Sequence, residues 1–479
     1  MPAPSQTRTR LVVLVAVGAA FMSSLDLFVV NVAFDSISAS LGVNQPGGPT
    51  AGDLSWILNA YAVTYAALLV PFGRLADRYG RKNIFVGGLL LFTLASVACA
   101  LSGSVWVLVA FRVLQAAGAA AMTPTSLSIL LAALPAERRM GGVRLWAATG
   151  AIAAAIGPSV GGVLTQFGWQ WVFLINLPVG AALLVLALRE VHEVRSDDEA
   201  GVPDLLGAVL FAGSVGLLAL GLVKSPEWGW ASGRTALVLE LSLVLGVLFA
   251  LRSMRHPSPV IHPALLRVNT FRWAIVTMVL FNVSFAINLL VGILWLQQIW
   301  GYSALQTGFA VAVGPVLVPV TAGLSHRFLP TARPARLITA GSLLMALSSL
   351  LLAISMGPKP AYLTAYLPAW LLGGVGVGLA LPNLMAGATH DLAPQQAATG
   401  SGVVTMARQI GFVIGVSLLF AIVGEGIGLG AMDTFTTCFL VAAAVLVTAS
   451  VTAFGMATRV RPHQVTFLGA SAEHHHKRG

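Results

Sequence analysis

The chain has 479 residues, 57% of them hydrophobic and only 9% charged, with a formal net charge of +10. A water-soluble domain carries about a quarter charged residues, so this composition excludes one and requires a membrane-embedded chain. The cations sit in short loops between apolar runs rather than in a patch interleaved with aromatics. They read as topological signals, and no nucleic-acid partner is expected.

The first apolar run begins near Leu11, behind Arg8 and Arg10, and so imitates a signal peptide. It outlasts such a segment and shows no small-residue cleavage site before Asp26, so an uncleaved first helix is expected. Runs long enough to span a bilayer (about 20 residues) lie near 11–34, 54–73, 84–103, 105–131, 143–165, 171–189, 204–223, 235–252, 271–297, 304–326, 335–356, 362–388, 399–424 and 434–457. That predicts an all-α membrane protein of fourteen transmembrane helices.

Charge tests the count. With a cytoplasmic N-terminus, alternate loops carry Arg74 to Lys82, Arg138, Arg139, Arg144, Arg189, Arg195, Arg252, Arg255, Arg267, Arg272, Arg327, Arg333 and Arg336, and the tail adds Arg459, Arg461, Lys477 and Arg478. The other side keeps Lys224, Arg234 and Lys359. Both termini are therefore expected in the cytoplasm. The loop with His390 and Asp391 carries no lysine or arginine and is the weakest point of the pattern. Arginine outnumbers lysine and alanine and glycine abound, which suggests a GC-rich bacterial genome and a bacterial cell membrane.

An internal echo joins LVPFGRLADR at 69–78 to LVPVTAGLSHR at 317–327, with His326 in the place of Asp77. Chance likeness of two apolar helix ends is one explanation; parallel six-helix repeats are the other. The repeat predicts an N-terminal six-helix bundle over 1–190, two additional linking helices in 191–260, a C-terminal six-helix bundle over 261–460 and a tail, 461–479.

The most informative stretch is LVPFGRLADRYGRK at 69–82. A basic turn with Gly73, Asp77, Arg78, Gly80 and Arg81 joins two apolar runs, and topology alone accounts for the cations but not for Asp77 or the glycine spacing. G-x-L-A-D-R-x-G-R-[RK] resembles the loop signature of the major facilitator superfamily. Two six-helix bundles plus two extra helices is the fold this resemblance implies.

Asp26 lies about 22 Å along the first helix at 1.5 Å per residue, well inside hydrocarbon. A carboxylate there must face a wet cavity or a cation, which makes it a candidate proton carrier; a lock between helices is the structural alternative. Its setting, LDLFVVNVAFDSI with Asn31, resembles the first-helix motif of the fourteen-helix drug:proton antiporters, except that Asp35 stands where proline is usual. Arg112, with Gln115 and Gly118, resembles the helix-4 motif R-x-x-Q-G-x-G-A, with Ala116 for the first glycine. The resemblance gives Arg112 a part in proton transfer beside Asp26; a static ion pair is the alternative. Gly150, Gly157, Pro158, Gly161 and Gly162 resemble the antiporter signature of helix 5, and GWQWVFLINLPVG at 168–180 a further segment of the same family.

In the second half, 281–308 and Arg408-Gln409-x-Gly411 match more loosely. The resemblance implies that Asp77 holds an inner gate at the start of helix 13, with Arg408 as a partner in the outward-open state; a cation snorkelling to the cytoplasmic end is the alternative. Cavity-lining candidates are Asn31, Trp56, Asn59, Tyr61, Met122, Asn176, Asn282, Asn288, Trp295, Gln297, Asn383 and Met385. Aromatic, methionine and amide groups suit bulky amphipathic ligands, cationic ones included through ring faces and Asp26. The lack of a buried cation cluster argues against sugar-phosphates and organic anions.

Cys99 and Cys438 fall inside apolar runs, so neither a disulfide framework nor a metal site is expected. His474, His475 and His476 read as a tail rather than a metal tract, no cofactor is expected, and Glu240 lies in the extra helix pair, away from a central cavity. The reading is a monomeric proton-coupled exporter of amphipathic small molecules and not an enzyme. The alternative is an uncoupled facilitator or lipid or metabolite exporter on the same fold.

Overall fold

The computed structural model describes residues 6–43, 45, 48–193, 203–329, 332–392, 394–424 and 432–456. All fourteen apolar runs are helical over lengths that can cross a membrane, the sixth over Trp171–Glu190, which joins two consecutive helices. They are α1 (Gln6–Val32), α2 (Ala51–Tyr79), α3 (Arg81–Ala100), α4 (Val105–Ala133), α5 (Ala136–Thr165), α6 (Asn176–Glu190) and α7 (Leu205–Trp228). Then follow α8 (Gly233–Arg255), α9 (Asn269–Leu294), α10 (Ala304–Phe328), α11 (Pro334–Ser355), α12 (Leu367–Thr389), α13 (Pro394–Val423) and α14 (Met432–Ala453). Helices are the expected solution because hydrocarbon offers no partner for backbone groups, so each segment must satisfy its own. Arg195, Glu425, the tail cations and His474 to His476 lie outside the described residues.

Four local elements were not visible in the apolar runs. A one-turn helix, Trp171–Leu174, precedes α6, and π-helical turns at Trp295–Ile299 and Tyr362–Tyr366 extend α9 and introduce α12. A short helix, Phe34–Ser40, carries Asp35 exposed in its first turn, where the helix dipole favours an anion.

Packing repeats in order along the chain. In the first six helices α3 lies on α4, α2 on α4, and α1 on α5 and α6; in the last six α11 lies on α12, α10 on α12, and α9 on α13 and α14. The two sets meet where α2 packs on α13 and α5 packs on α10, contacts that exchange when α1–α6 are mapped onto α9–α14. The N-termini of the matching helices α2 and α10 carry the same device. Thr50 and Asp53 form a capping box on α2 (3.1 and 2.9 Å), and Ser303 and Gln306 form one on α10 (3.2 and 2.9 Å).

The extra pair is asymmetric. α7 packs against both α2 and α13, whereas α8 packs chiefly on α7 and leaves most of its surface, Glu240 included, facing outward. Lys224 on α7 bonds Asp53 of α2 (3.0 Å) and Glu227 (2.7 Å) at one membrane end. At the other end the fully buried Asp204 caps α7 through Gly207 N (2.8 Å) and accepts from Arg252 Nε of α8 (2.6 Å). Removing that carboxylate strips the cap, a loss of about 1 kcal/mol, and leaves Arg252 without its counter-charge. Asp204→Ala is therefore expected to lower the melting temperature in detergent and to free α8 for proteolysis, with Asp204→Asn milder, as limited proteolysis and thermal melting would show.

Candidate transport site

The buried charges of α1 and α4 find each other. Asp26 and Arg112 are 0% and 1% exposed, and Arg112 Nη1 donates to Asp26 Oδ2 at 2.5 Å. Gln115, one turn beyond Arg112 on the same face of α4, donates to Asp26 Oδ1 (2.8 Å) and accepts from Arg112 (2.8 Å). Asn176, the first residue of α6, donates to Asp26 Oδ1 at 3.0 Å. Ser96 of α3 accepts from both amides at 3.0 Å and donates to the Phe173 carbonyl at 2.9 Å. Arg112 Nε donates to the Ile57 carbonyl (3.2 Å), and the guanidinium carbon lies 4.0 Å from the centre of the Tyr61 ring. Five helices thus contribute to one closed network. A buried ion pair outweighs its desolvation cost only with this degree of hydrogen bonding, and removing one partner costs about 3–5 kcal/mol.

The basic turn is built as a clamp. Arg81 holds Asp77 with two hydrogen bonds (3.1 and 3.2 Å), and Arg78 lies exposed beside the Tyr79 ring. Gly80 adopts φ +103°, a conformation side chains resist, and the Glu193 carboxylate sits where its Cβ would be. That carboxylate accepts from Lys82 N at 3.1 Å, at the start of α3. Gly73 is different: a Cβ there would meet Pro124 at an ordinary 3.7 Å.

The α5 glycines serve two interfaces. Added Cβ atoms at Gly157 and Gly161 would lie 2.7 Å from Phe28 and 2.6 Å from the Val29 carbonyl, both on α1. At Gly162 the obstacle is the Ala304 carbonyl of α10 at 2.5 Å. The Pro158 carbonyl in turn faces Gly308 of α10. Gly150 has more room, 3.4 Å to Ser24.

Several cavity candidates take other positions. Tyr61 and Asn176 belong to the Asp26 network, and Met122 is fully buried within the α1–α4 and α6 core. Asn288 is spent on Ser284 and Ser349, while Asn282 and Asn383 bond carbonyls of their own helices. Asn31 Oδ1, Trp56 Nε1, Asn59 Oδ1, Trp295 Nε1 and Gln297 Oε1 have no hydrogen-bond partner among the described residues. Two of them bridge the two sets of six: Asn59 donates to Ser417 of α13 (3.1 Å), and Gln297 to the Val32 carbonyl of α1 (3.1 Å). The Asp77–Arg408 pairing is not formed. Arg408 stands fourteen residues into the 30-residue α13, within its apolar span Thr399–Val423. Sequence reading missed Ser96 and Glu193, and assigned Gln115 to a motif without a partner. The three-residue spacing of Arg112 and Gln115 was the available signal.

A fourteen-helix membrane chain with internally repeated packing and a sealed ion pair among its first six helices has the architecture of a membrane transporter. The Major Facilitator Superfamily model matches residues 16–416, and the chain belongs to that family. It is 33% identical to the multidrug resistance protein Stp of Mycobacterium tuberculosis over 86% of this chain and 75% of Stp. It is 32% identical to the methylenomycin A resistance protein of Streptomyces coelicolor (83% and 82% covered) and 33% identical to the cephamycin export protein CmcT of Amycolatopsis lactamdurans (88% and 87%). The fold also matches the peptide transporter PepTSo, with a TM-score of 0.70 at 14% identity over 95% of this chain and 98% of that one. The chain is a multi-pass transporter of the plasma membrane, related to drug and antibiotic exporters, and not an enzyme.

Two glycine predictions follow from the geometry. Gly161→Val is expected to abolish transport and shift the protein to aggregates in size-exclusion chromatography, because a backbone carbonyl cannot give way, whereas Gly150→Ala is tolerated. In the turn, Gly80→Ala is expected to cost about 1–2 kcal/mol through its left-handed backbone, with Gly73→Ala near neutral by thermal melting.

Proposed function

We propose that the chain is a proton-coupled antiporter that exports amphipathic small molecules across the cell membrane by alternating access. The single observation that carries this reading is the closed Asp26–Arg112–Gln115–Asn176 network, an acid and its cation sealed within the first six helices. Protonating Asp26 removes the charge that Arg112 balances. The guanidinium must then rely on Gln115, the Ile57 carbonyl and the Tyr61 face, so one proton changes the forces that hold α1 to α4.

The moving parts in this proposal are bundles of residues 1–190 and 261–460, with 191–260 as a linking pair and 461–479 as a tail. Swapped contacts of α2 with α13 and α5 with α10 supply the surfaces on which they rock. The loop asymmetry supports cytoplasmic termini, and a single copy contains every residue invoked. The relatives' printed roles in resistance and export support drugs or antibiotics as cargo.

Asp26 is sealed from any ligand, so it does not attract a cationic substrate directly. The same seal supports one competing reading, in which the pair is only a helix lock on an uncoupled facilitator. In proteoliposomes with an imposed pH gradient, flux of puromycin or methylenomycin A is expected to follow the gradient in wild type. With Asp26→Asn it is expected to fall at least about tenfold, within the range of ordinary coupling energies. Gradient-dependent flux that survives in a destabilised Asp26→Asn protein would sink the coupling and leave the lock.

A further inference from the structure

A second cation within the described membrane spans, Arg408, is used by nothing described so far. Arg408 lies about 21 Å along α13 at 1.5 Å per residue, and it is half-buried. Its helix shows two accessible stripes. Ile410 and Ile414 form an apolar one, half-buried and packed against the core. Ser401, Thr405 and Arg408 form a polar one on the other side of the helix. Arg408 lies on the opposite side of α13 from that core-packed stripe, on a helix that packs against α2 where the two sets of six meet, with Tyr65 of α2 within electrostatic reach. The Tyr65 hydroxyl is itself fixed, donating to Thr123 Oγ1 of α4 at 3.1 Å.

Among the described residues Arg408 forms no ion pair, and the carboxylates of the facing helices are matched elsewhere. Asp26 holds Arg112 (2.5 Å), Asp53 holds Lys224 (3.0 Å) and Asp77 holds Arg81 (3.1 Å). A guanidinium at mid-membrane depth is costly, faces a cavity rather than lipid, and marks a pathway for charge. Its planar fork of donors fits a carboxylate bidentately.

We propose that Arg408 is a substrate-binding residue that holds the acidic group of amphipathic substrates, so that the exporter prefers compounds carrying a carboxylate or comparably acidic oxygen. The inference rests on the exporter reading above and names the substrate class of the same cavity. It reverses the charge preference expected from Asp26, because that carboxylate is sealed behind Arg112 whereas Arg408 is only half-buried. One arginine is enough for one acid group, so the lack of a cation cluster excludes only polyanions such as sugar-phosphates.

The test uses three fluorescent probes of one scaffold: dansylglycine, its neutral amide and the cationic dansylcadaverine. They are titrated into the full-length protein in nanodiscs. Wild type is expected to bind the acid about tenfold more tightly than the amide or the amine, the scale of one charge-assisted hydrogen-bonded contact. Arg408→Gln is expected to bring the three affinities together. Arg408→Lys, which keeps the charge without the fork, retains part of the preference, and thermal melting verifies that each variant is folded. The proposal is overturned if wild type binds the three alike or favours the amine, or if a folded Arg408→Gln keeps the preference for the acid. If Arg408→Gln does not fold, Arg408→Lys decides through a preference reduced from that of wild type; an unchanged one overturns the proposal. Gradient-driven, Asp26-dependent flux without an acid preference would overturn this proposal alone. Failure of all three probes to bind, with no gradient-driven flux, would overturn the exporter reading as well.

Discussion

Everything in the first six helices is arranged around one constraint: a carboxylate placed in hydrocarbon must be neutralised and hydrogen-bonded where it stands. Asp26 meets it with Arg112 at 2.5 Å and amides from Gln115 and Asn176. Satisfying those amides brings in Ser96, and satisfying the remaining guanidinium donors brings in the Ile57 carbonyl. α1, α2, α3, α4 and α6 are thereby held in one register by polar contacts, in a setting where lipid is as apolar as leucine and offers little drive for helix association. The sharp entry into α6 has the same cause, since the turn at Trp171–Leu174 delivers both the Phe173 carbonyl and the Asn176 amide to this network.

Between the two sets of six the constraint is steric. α5 carries glycine towards α1 at 157 and 161 and towards α10 at 162, so one helix touches two neighbours with no side chain between them. α13 does the same against α9, where Gly411 and Gly415 face the Val279 and Val283 carbonyls. The matched use of α5 and α13 is what a repeated six-helix plan requires of its crossing helices. The extra pair does not share that plan: α7 fills the seam of α2 and α13, and α8 follows it through Asp204 and Arg252.

The two buried arginines differ in a way that composition conceals. Arg112 is consumed by its surroundings and is a positioning group for Asp26. Arg408 is half-buried in a polar stripe, has no counter-ion among the described residues, and stands on a helix that packs against α2 of the other set. Charge in a membrane protein acquires meaning from what it faces, and facing is a property of the assembled bundle.

By itself the sequence determined the fourteen spans and their boundaries to within a few residues, because apolar length and loop charge are local properties of the chain, and the motif at 69–82 carried the resemblance to the facilitator fold. It also marked Asp26, Arg112 and the α5 glycines, since a charge or a glycine run inside an apolar segment stands out wherever the segment ends up. Tertiary structure alone decided that Asn176 and Tyr61 serve the ion pair while Asn31, Trp56 and Asn59 keep unspent polar atoms, and that Gly80 rather than Gly73 is the strained glycine of the turn. It likewise separated Arg408 from Asp77. The physical reason is common to these cases. Helical spacing tells which residues share a face, but the neighbour across that face comes from residues tens to hundreds of positions away, and the neighbour sets whether a polar group is satisfied, crowded or available.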